Sequence, residues 1–251
     1  APTKLNLKIK KLDAVDASKI PTDLDSFQSR VIASAIDSRG ALHDSNEIIS
    51  WFTELKVCCE LNVERIPLKF VKNWLKTENQ IHHEKGKYFS IIAIAVQAGN
   101  REVIQWTQPL INPQTTGLIA YITKNINGTL HFLVQAKVEP GNFDTIEMAP
   151  TVQCITDSFE QDKPEERPAF LDYILKVPPD KIRSSTMQSE EGGRFYRESN
   201  RCFIIEVDDD FSLEVPKNFI WLTLGQIKEF IKYNNYINIE GRCLLSSIRF
   251  V

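Results

Sequence analysis

Apolar side chains recur at spacings of three and four from Asn46 onward. Ile48, Ile49, Trp51, Phe52, Leu55 and Cys59 therefore fall on one stripe of a helix. Asp44 or Ser45 stands where a cap is needed, with Glu47 in the first turn. A second short helix is expected from Pro67, since proline suits a first helical turn, and it would carry Phe70, Val71 and Trp74. The period then changes. YFSIIAIAV (88–96), REVIQW (101–106), TGLIAYIT (116–123) and LHFLVQAKV (130–138) are rich in β-branched and aromatic residues and are separated by Gly, Asn and Pro, which reads as strands. The stretch Asn125 to Gly128 is a hairpin signal. CFIIEV (202–207) is a further strand, and TLGQIKEFIKY (223–233) a helix with Thr223 as its cap. PEERP (164–168) reads as a surface loop.

Residues 1 to about 45 are polar and broken by Pro21 and Gly40, with one apolar patch at Val31, Ile32 and Ile36. They read as a peripheral lead-in holding a short helix, ahead of one domain over 46–251. The whole pattern predicts an α+β fold, a mixed or antiparallel sheet flanked by helices.

Composition changes little in this picture but excludes several functions. A chain of 251 residues with 42% hydrophobic and 25% charged residues is that of a globular protein with a real core. The formal net charge of −3 leaves no basic excess for broad nucleic-acid binding. Lys4, Lys8, Lys10 and Lys11 form a small basic cluster that reads as a solvated arm. No apolar run is long enough to cross a bilayer, no signal-peptide pattern opens the chain, and the absence of an initial Met points to processing or trimming. Five cysteines (Cys58, Cys59, Cys154, Cys202, Cys243) without a C-x-x-C suit reduced thiols in a cytoplasm. Asn127-Gly128-Thr129 fits a glycosylation sequon but reads better as the hairpin turn.

The candidate chemistry is concentrated in three stretches. In LHFLVQAKVEPGN (130–142), alternation puts Gln135, Lys137 and Glu139 on one strand face; this is either a solvated sheet surface or a polar pocket wall where Lys137 meets an anion such as a diphosphate. APTVQCITDSF (149–159) offers Gln153, Thr156 and Ser158 beside Phe159, a set suited to a planar base. QSEEGGRFY (188–196) combines Glu190 and Glu191 with Gly192, Gly193 and Arg194. It is either an acidic turn or a loop whose glycines approach a ligand, whose arginine forks onto phosphate and whose glutamates move protons. His82-His83-Glu84 is not H-E-x-x-H, and neighbours on a strand face opposite ways, so no metal site is expected; one histidine could serve as an acid or base. Glycine-rich nucleotide fingerprints, Walker A and G-x-S-x-G are absent from the sequence. Trp51 and Trp221 read as core, and Trp74 as core or as a surface for stacking a base.

RIPL (65–68), HEKGKYFSI (83–91), REVIQWTQPLI (101–111), LHFLVQAKVEPGN, APTVQC (149–154), QSEEGGRFY and WLTLGQIKEFIKYNNYINIEGRCLL (221–245) stand together in an order that resembles the NDP-hexose 2,3-dehydratases of deoxysugar biosynthesis. The resemblance covers Asn46 to the C-terminus. It implies a Nudix-like module, although no Nudix box is present, and cofactor-independent loss of water across C2 and C3 of dTDP-4-keto-6-deoxyglucose. Its ligand-binding segments fall on Trp74, Lys137, Gln153, Cys154, Ile155, Thr156, Ser158, Phe159, Ser189, Gly192, Gly193 and Arg194. For proton transfer the candidates are Glu190, Glu191, His83 and Tyr196, with a glutamate of QSEEGG as base and His83 or Tyr196 as donor. Typical members of the family carry two such modules in tandem and this chain has one, so a homodimer that imitates the missing contact is expected. The alternative is a non-catalytic module that binds sugar nucleotide or assembles pathway enzymes; Lys137, Glu190, Glu191, Arg194 and Tyr196 standing together favour the enzyme.

Overall fold

Asn127 and Gly128 both adopt positive φ, 51° and 79°, as a two-residue hairpin turn requires. They join β5 (Gly117–Ile126) to β6 (Thr129–Val138) in a computed structural model that describes residues 26–37, 39–159, 163 and 166–248. The basic cluster at Lys4 to Lys11 and Pro21 lie outside the described residues, as do Pro164 and Glu165 of the expected surface loop. The two hairpin strands pair only near their turn, from Thr123 with Phe132 to Ile126 with Thr129, and then part. Into the gap comes a second hairpin: β7 (Ile146–Ala149) pairs with the far end of β6, and β8 (Val152–Ile155) with the start of β5. Thr151, in the turn of that wedge, is buried at the point of divergence. Its hydroxyl donates to the carbonyl of Leu133 (2.5 Å) and accepts from the amide of Ile122 (2.9 Å). These are the first backbone groups left without a partner as the strands separate, and buried backbone groups must be paired.

On the other side of β5 lies β10 (Ser199–Glu206), parallel to it, followed by the antiparallel edge strand β9 (Ile182–Ser189). β11 (Phe219–Thr223) pairs with β6 at the opposite edge, giving a seven-stranded mixed sheet in the order β11-β6-β5-β10-β9 with β7 and β8 in the wedge. Each face carries its own core. Ile119, Tyr121, Phe132, Val134, Cys202 and Leu222 pack under helices, whereas Leu118, Ile122, Leu133, Ile205 and Trp221 pack under α3 (Leu171–Leu175) and the loop after β10. That loop is held by Lys124, a buried ammonium that donates to the carbonyls of Asp208, Asp209 and Phe211 at 2.7, 2.8 and 2.8 Å.

Two helices of the first face form where the pattern expected them, and a third, nearer the C-terminus, was not expected. α2 (Ser45–Cys58) is capped by Asp44, with Glu47 completing a capping box. Its anchors Ile48 and Phe52 are fully buried. Each is worth about 1.5–3 kcal/mol against about 1 kcal/mol for the cap, so packing rather than capping holds this helix. α4 (Leu224–Ile231) has the expected Thr223 cap, and α5 (Ile239–Ser246) is capped by Asn238. α1 (Ser26–Ile36) is more than a peripheral lead-in, because Val31 and Ser34 are buried. The Ser34 hydroxyl donates to the Leu130 carbonyl (2.6 Å) and accepts from the Leu224 amide (2.9 Å), so α1 ties β6 to α4 and the core begins ahead of Asn46.

A separate four-stranded antiparallel sheet, in the order β1-β2-β3-β4, is built from Trp74–Lys76, Gln80–His83, Phe89–Gln97 and Gln105–Pro113. The helix expected from Pro67 is only a 3-10 turn, Leu68–Phe70. Val71 is already extended and Asn73 takes a positive φ of 63°, so the chain turns out of the helix and Trp74 opens a strand. β4 begins at Gln105, and residues 101–104 stay outside it. Pro109 and Pro113 are tolerated because β4 is an edge strand of this sheet.

Thr151→Val keeps the shape of the side chain and removes both hydrogen bonds at the divergence. It should lower folding stability by about 2–3 kcal/mol, as leaving buried backbone groups unpaired costs, read as a lower urea midpoint at unchanged m. Thr151→Ser should retain most of that stability; equal midpoints for Thr151→Val and the unsubstituted protein would show that the bridge is dispensable.

Candidate functional site

QSEEGGRFY is the tip of the β9–β10 hairpin. Ser189 pairs with Ser199, so the next rung sets Glu190 opposite Glu198, and the Glu190 amide donates to the Glu198 carbonyl (3.1 Å). Residues opposite one another share a face, and alternation adds Asn200 to it. The loop folds on itself, the amides of Arg194 and Phe195 donating to the Glu191 carbonyl at 3.0 Å each. It is also sewn to β4. The Ile111 amide donates to Arg194 (2.8 Å), the Tyr196 amide donates to Ile111 (2.7 Å), and Gln108 Nε2 donates to the Gly193 carbonyl (2.9 Å). This seam joins the two sheets. Gly192 and Gly193 do not take positive φ, and a Cβ on Gly192 would meet nothing within 4 Å, so neither is required by the turn itself.

Behind the hairpin lies a cleft of about 420 Å³. Glu190, Glu198 and Asn200 line one side, Lys137 of β6 and Gln153, Cys154 and Ile155 of β8 another, and Ile239 and Glu240 at the start of α5 a third. The wedge therefore makes this cleft, since Lys137 and Gln153 belong to the segments that part and fill. Asn238 joins α5 to the wedge, its Nδ2 donating to Gln153 Oε1 (2.7 Å) while its Oδ1 accepts from the Gly241 amide (2.9 Å). Gly117 is the glycine that close approach demands. A Cβ there would stand 2.0 Å from Asn200 Oδ1, and Asn200 is the group whose Nδ2 donates to Glu190 Oε1 (2.7 Å).

The cleft holds opposite charges on separate supports. Lys137 pairs with Glu139 (2.5 Å) and donates to the Gln153 carbonyl (3.2 Å). Arg194 meets Glu191 through both Nε (2.9 Å) and Nη2 (2.5 Å), in an exposed pair at the rim. Three further carboxyl groups face the cavity. Burial, then the charges of Glu190 and Glu240, hold Glu198 above the ordinary carboxylate range. Glu240 is raised as well, mainly by burial, with Glu190 adding and Lys137 opposing. Oε2 of Glu198 is buried and accepts no hydrogen bond among the described residues. Burial pushes the Cys154 thiol up to about 11, which makes it a poor nucleophile.

Of the residues expected from sequence, the cleft gathers Lys137, Gln153, Cys154, Ile155, Glu190, Glu191 and Arg194. Trp74 and His83 lie in the four-stranded sheet, edge to face with ring centroids 5.8 Å apart. His83 also packs on Tyr88 at 5.2 Å and accepts from the Lys85 amide at 3.3 Å. Tyr196 is tied through its backbone, with the Arg197 guanidinium 5.2 Å from its ring centre; it does not line the cleft. Thr156 lines a second cavity of about 430 Å³ with Arg201 and Phe203, and Phe159 packs against the core of that face. Ser189, Gly192 and Gly193 are exposed in the hairpin, and the Ser158 side chain lies outside the described residues. Glu198, Asn200 and Glu240 were not anticipated. Continuing the alternation of CFIIEV backward through Asn200 to Glu198 would have found two of them.

The family model for NDP-hexose 2,3-dehydratase matches residues 45–248. A dTDP-4-dehydro-6-deoxy-alpha-D-glucopyranose 2,3-dehydratase of Saccharopolyspora spinosa is 43% identical over 220 residues, 88% of this chain and 44% of its own length. Proteins of the same name from Amycolatopsis orientalis and Streptomyces violaceoruber are each 39% identical, over 83% of this chain and 44% and 47% of theirs. The chain thus spans less than half the length of these curated relatives. Among solved structures, an ADP compounds hydrolase aligns with a TM-score of 0.39 at 11% identity, covering 64% of this chain and 84% of its own. The Ap4A hydrolase of C. elegans aligns at 0.31 and 10%, covering 49% and 88%. Such scores add nothing to the topology described above. The long family match and the identity to three curated dehydratases carry the assignment: this chain belongs to the NDP-hexose 2,3-dehydratase family.

Proposed function

We propose that the chain removes water across C2 and C3 of an NDP-4-keto-6-deoxyhexose, with dTDP-4-keto-6-deoxyglucose as the substrate, in deoxysugar biosynthesis. One observation carries this reading beyond family membership: a single cleft holds cations suited to a diphosphate together with carboxyl groups suited to proton transfer. The C4 ketone acidifies the C3 hydrogen, so the reaction can proceed through an enolate on acid–base chemistry alone. It needs a base at C3, an acid at the departing C2 hydroxyl and polarisation of the C4 oxygen. Lys137 binds the diphosphate, and Arg194 exchanges Glu191 for a phosphate edge that matches its planar fork. Gln153, held by Asn238, gives the sugar or base a fixed amide. Proton work falls on the glutamates, because His83 and Tyr196 do not line this cleft.

The partner is inferred in the same spirit. Val63, Ile66, Leu68, Phe70 and Leu75 form an apolar run at the surface, Leu68 being 80% and Phe70 60% exposed. Apolar side chains exposed along one short stretch of chain suit burial in an interface. With relatives about twice as long as this chain, the occupant proposed is a second copy that takes the place of another module. Five free cysteines suit a reducing cytoplasm. No helix among the described residues is long and apolar enough to cross a membrane.

Incubation with dTDP-4-keto-6-deoxyglucose should consume the sugar nucleotide and release maltol-type breakdown products. Lys137→Met should raise KM about tenfold or more, the loss of one charged hydrogen bond to phosphate. Binding without consumption would identify a non-catalytic sugar-nucleotide-binding or pathway-assembly module instead. Sedimentation should show a dimer at micromolar concentration that Phe70→Asp converts to monomer; a monomeric unsubstituted protein would contradict the second-copy proposal.

A further inference from the structure

The cleft holds more carboxyl groups than the reaction has proton-transfer roles, and their surroundings differ in kind. Glu190 and Glu198 are directly opposed across the β9–β10 hairpin, an arrangement that is destabilising when both carry charge. The structure treats them unequally. Oε1 of Glu190 accepts a hydrogen bond from Asn200, a side chain admitted to this position only by the missing Cβ of Gly117. That bond fixes the direction in which the Glu190 carboxyl group points. Oε2 of Glu198 is buried and meets no donor among the described residues, so none of them compensates a negative charge there. Glu240 faces the same space from α5, and Lys137 is already engaged by Glu139.

This inference rests on the dehydratase reading above. We propose that Glu198, which lines the cleft opposite Glu190, is the proton donor to the departing C2 hydroxyl, and that Glu190, oriented by Asn200, is the base that takes the C3 proton. The protons balance. Glu190 gains the proton from C3 as the C3–H electrons become the C2–C3 double bond. The C2–O bond breaks and the hydroxyl leaves as water, carrying the proton of Glu198. The product of this step is the C3 enol. Its hydroxyl proton goes to Glu198 while C2 takes the proton held by Glu190, which gives the 3,4-diketone and restores both carboxyl groups. The raised proton affinity of Glu198, from burial and from the charges of Glu190 and Glu240, runs in the direction an acid needs.

Deuterium oxide separates the two roles, because enolate formation exchanges the C3 hydrogen whether or not the hydroxyl leaves. Substrate recovered from Glu198→Gln should carry deuterium at C3 while elimination falls by about 100-fold or more, the usual scale of a lost general acid. Glu190→Gln should lose exchange and elimination together. Retained dTDP affinity and an unchanged circular dichroism spectrum establish that each variant is folded. Glu198→Asp, a smaller perturbation, should slow elimination more than exchange. Near-normal elimination by Glu198→Gln, or joint loss of exchange and elimination, would overturn the assignment of Glu198 while leaving the dehydratase reading in place. Absence of both reactions in the unsubstituted protein would overturn that reading and this assignment with it.

Discussion

The parting of β5 from β6 is the constraint on which the rest of the molecule depends. A hairpin that paired along its whole length would close the sheet and leave no cleft. Here the strands separate after four rungs, and the cost of unpaired backbone is met by one threonine hydroxyl and by the β7–β8 wedge. The wedge carries Gln153 and Cys154, and the freed end of β6 carries Lys137. The same device that satisfies the ladder therefore sets the polar residues of the cleft on rigid strands. Sites built on strands hold their geometry better than sites built on loops alone.

The opposite wall is less self-sufficient. The β9–β10 hairpin is the edge of its sheet, and its tip is steadied by backbone bonds to Ile111 of the second sheet. The four-stranded sheet thus supports the site without supplying a side chain to its lining. Gly117 adds a steric condition, since Asn200 reaches Glu190 only where β5 has no Cβ. The carboxyl groups inherit their differences from these supports: one is oriented by an amide and another is left buried without a donor among the described residues.

How much of this was legible in the sequence follows from which forces set each element. Helices α2 and α4 were plain because periodicity and capping residues agreed. The long apolar strands β3, β5 and β6 were plain because β-branched residues dominate them. Strand β9, IRSSTMQS, was not, since it has no apolar run and owes its conformation to pairing with β10. Missing β9 concealed the hairpin, and with it the opposition of Glu190 and Glu198. Trp74 was placed on a helix because Pro67 suits a first turn, whereas the positive φ at Asn73 sends the chain into a strand. Lys137, Gln153, Glu190 and Arg194 were singled out by residue type and line one cleft. His83 was a candidate because an imidazole titrates near neutrality, and its ring packs against Trp74 and Tyr88, away from that cleft.

A crystal structure with dTDP bound will show whether the cleft opened by the wedge receives a sugar nucleotide. Diphosphate density is expected against Lys137 and Arg194, with Arg194 released from Glu191 and Asn200 still on Glu190. Nucleotide density elsewhere on the protein, with this cleft unoccupied and the Arg194–Glu191 pair intact, would contradict it.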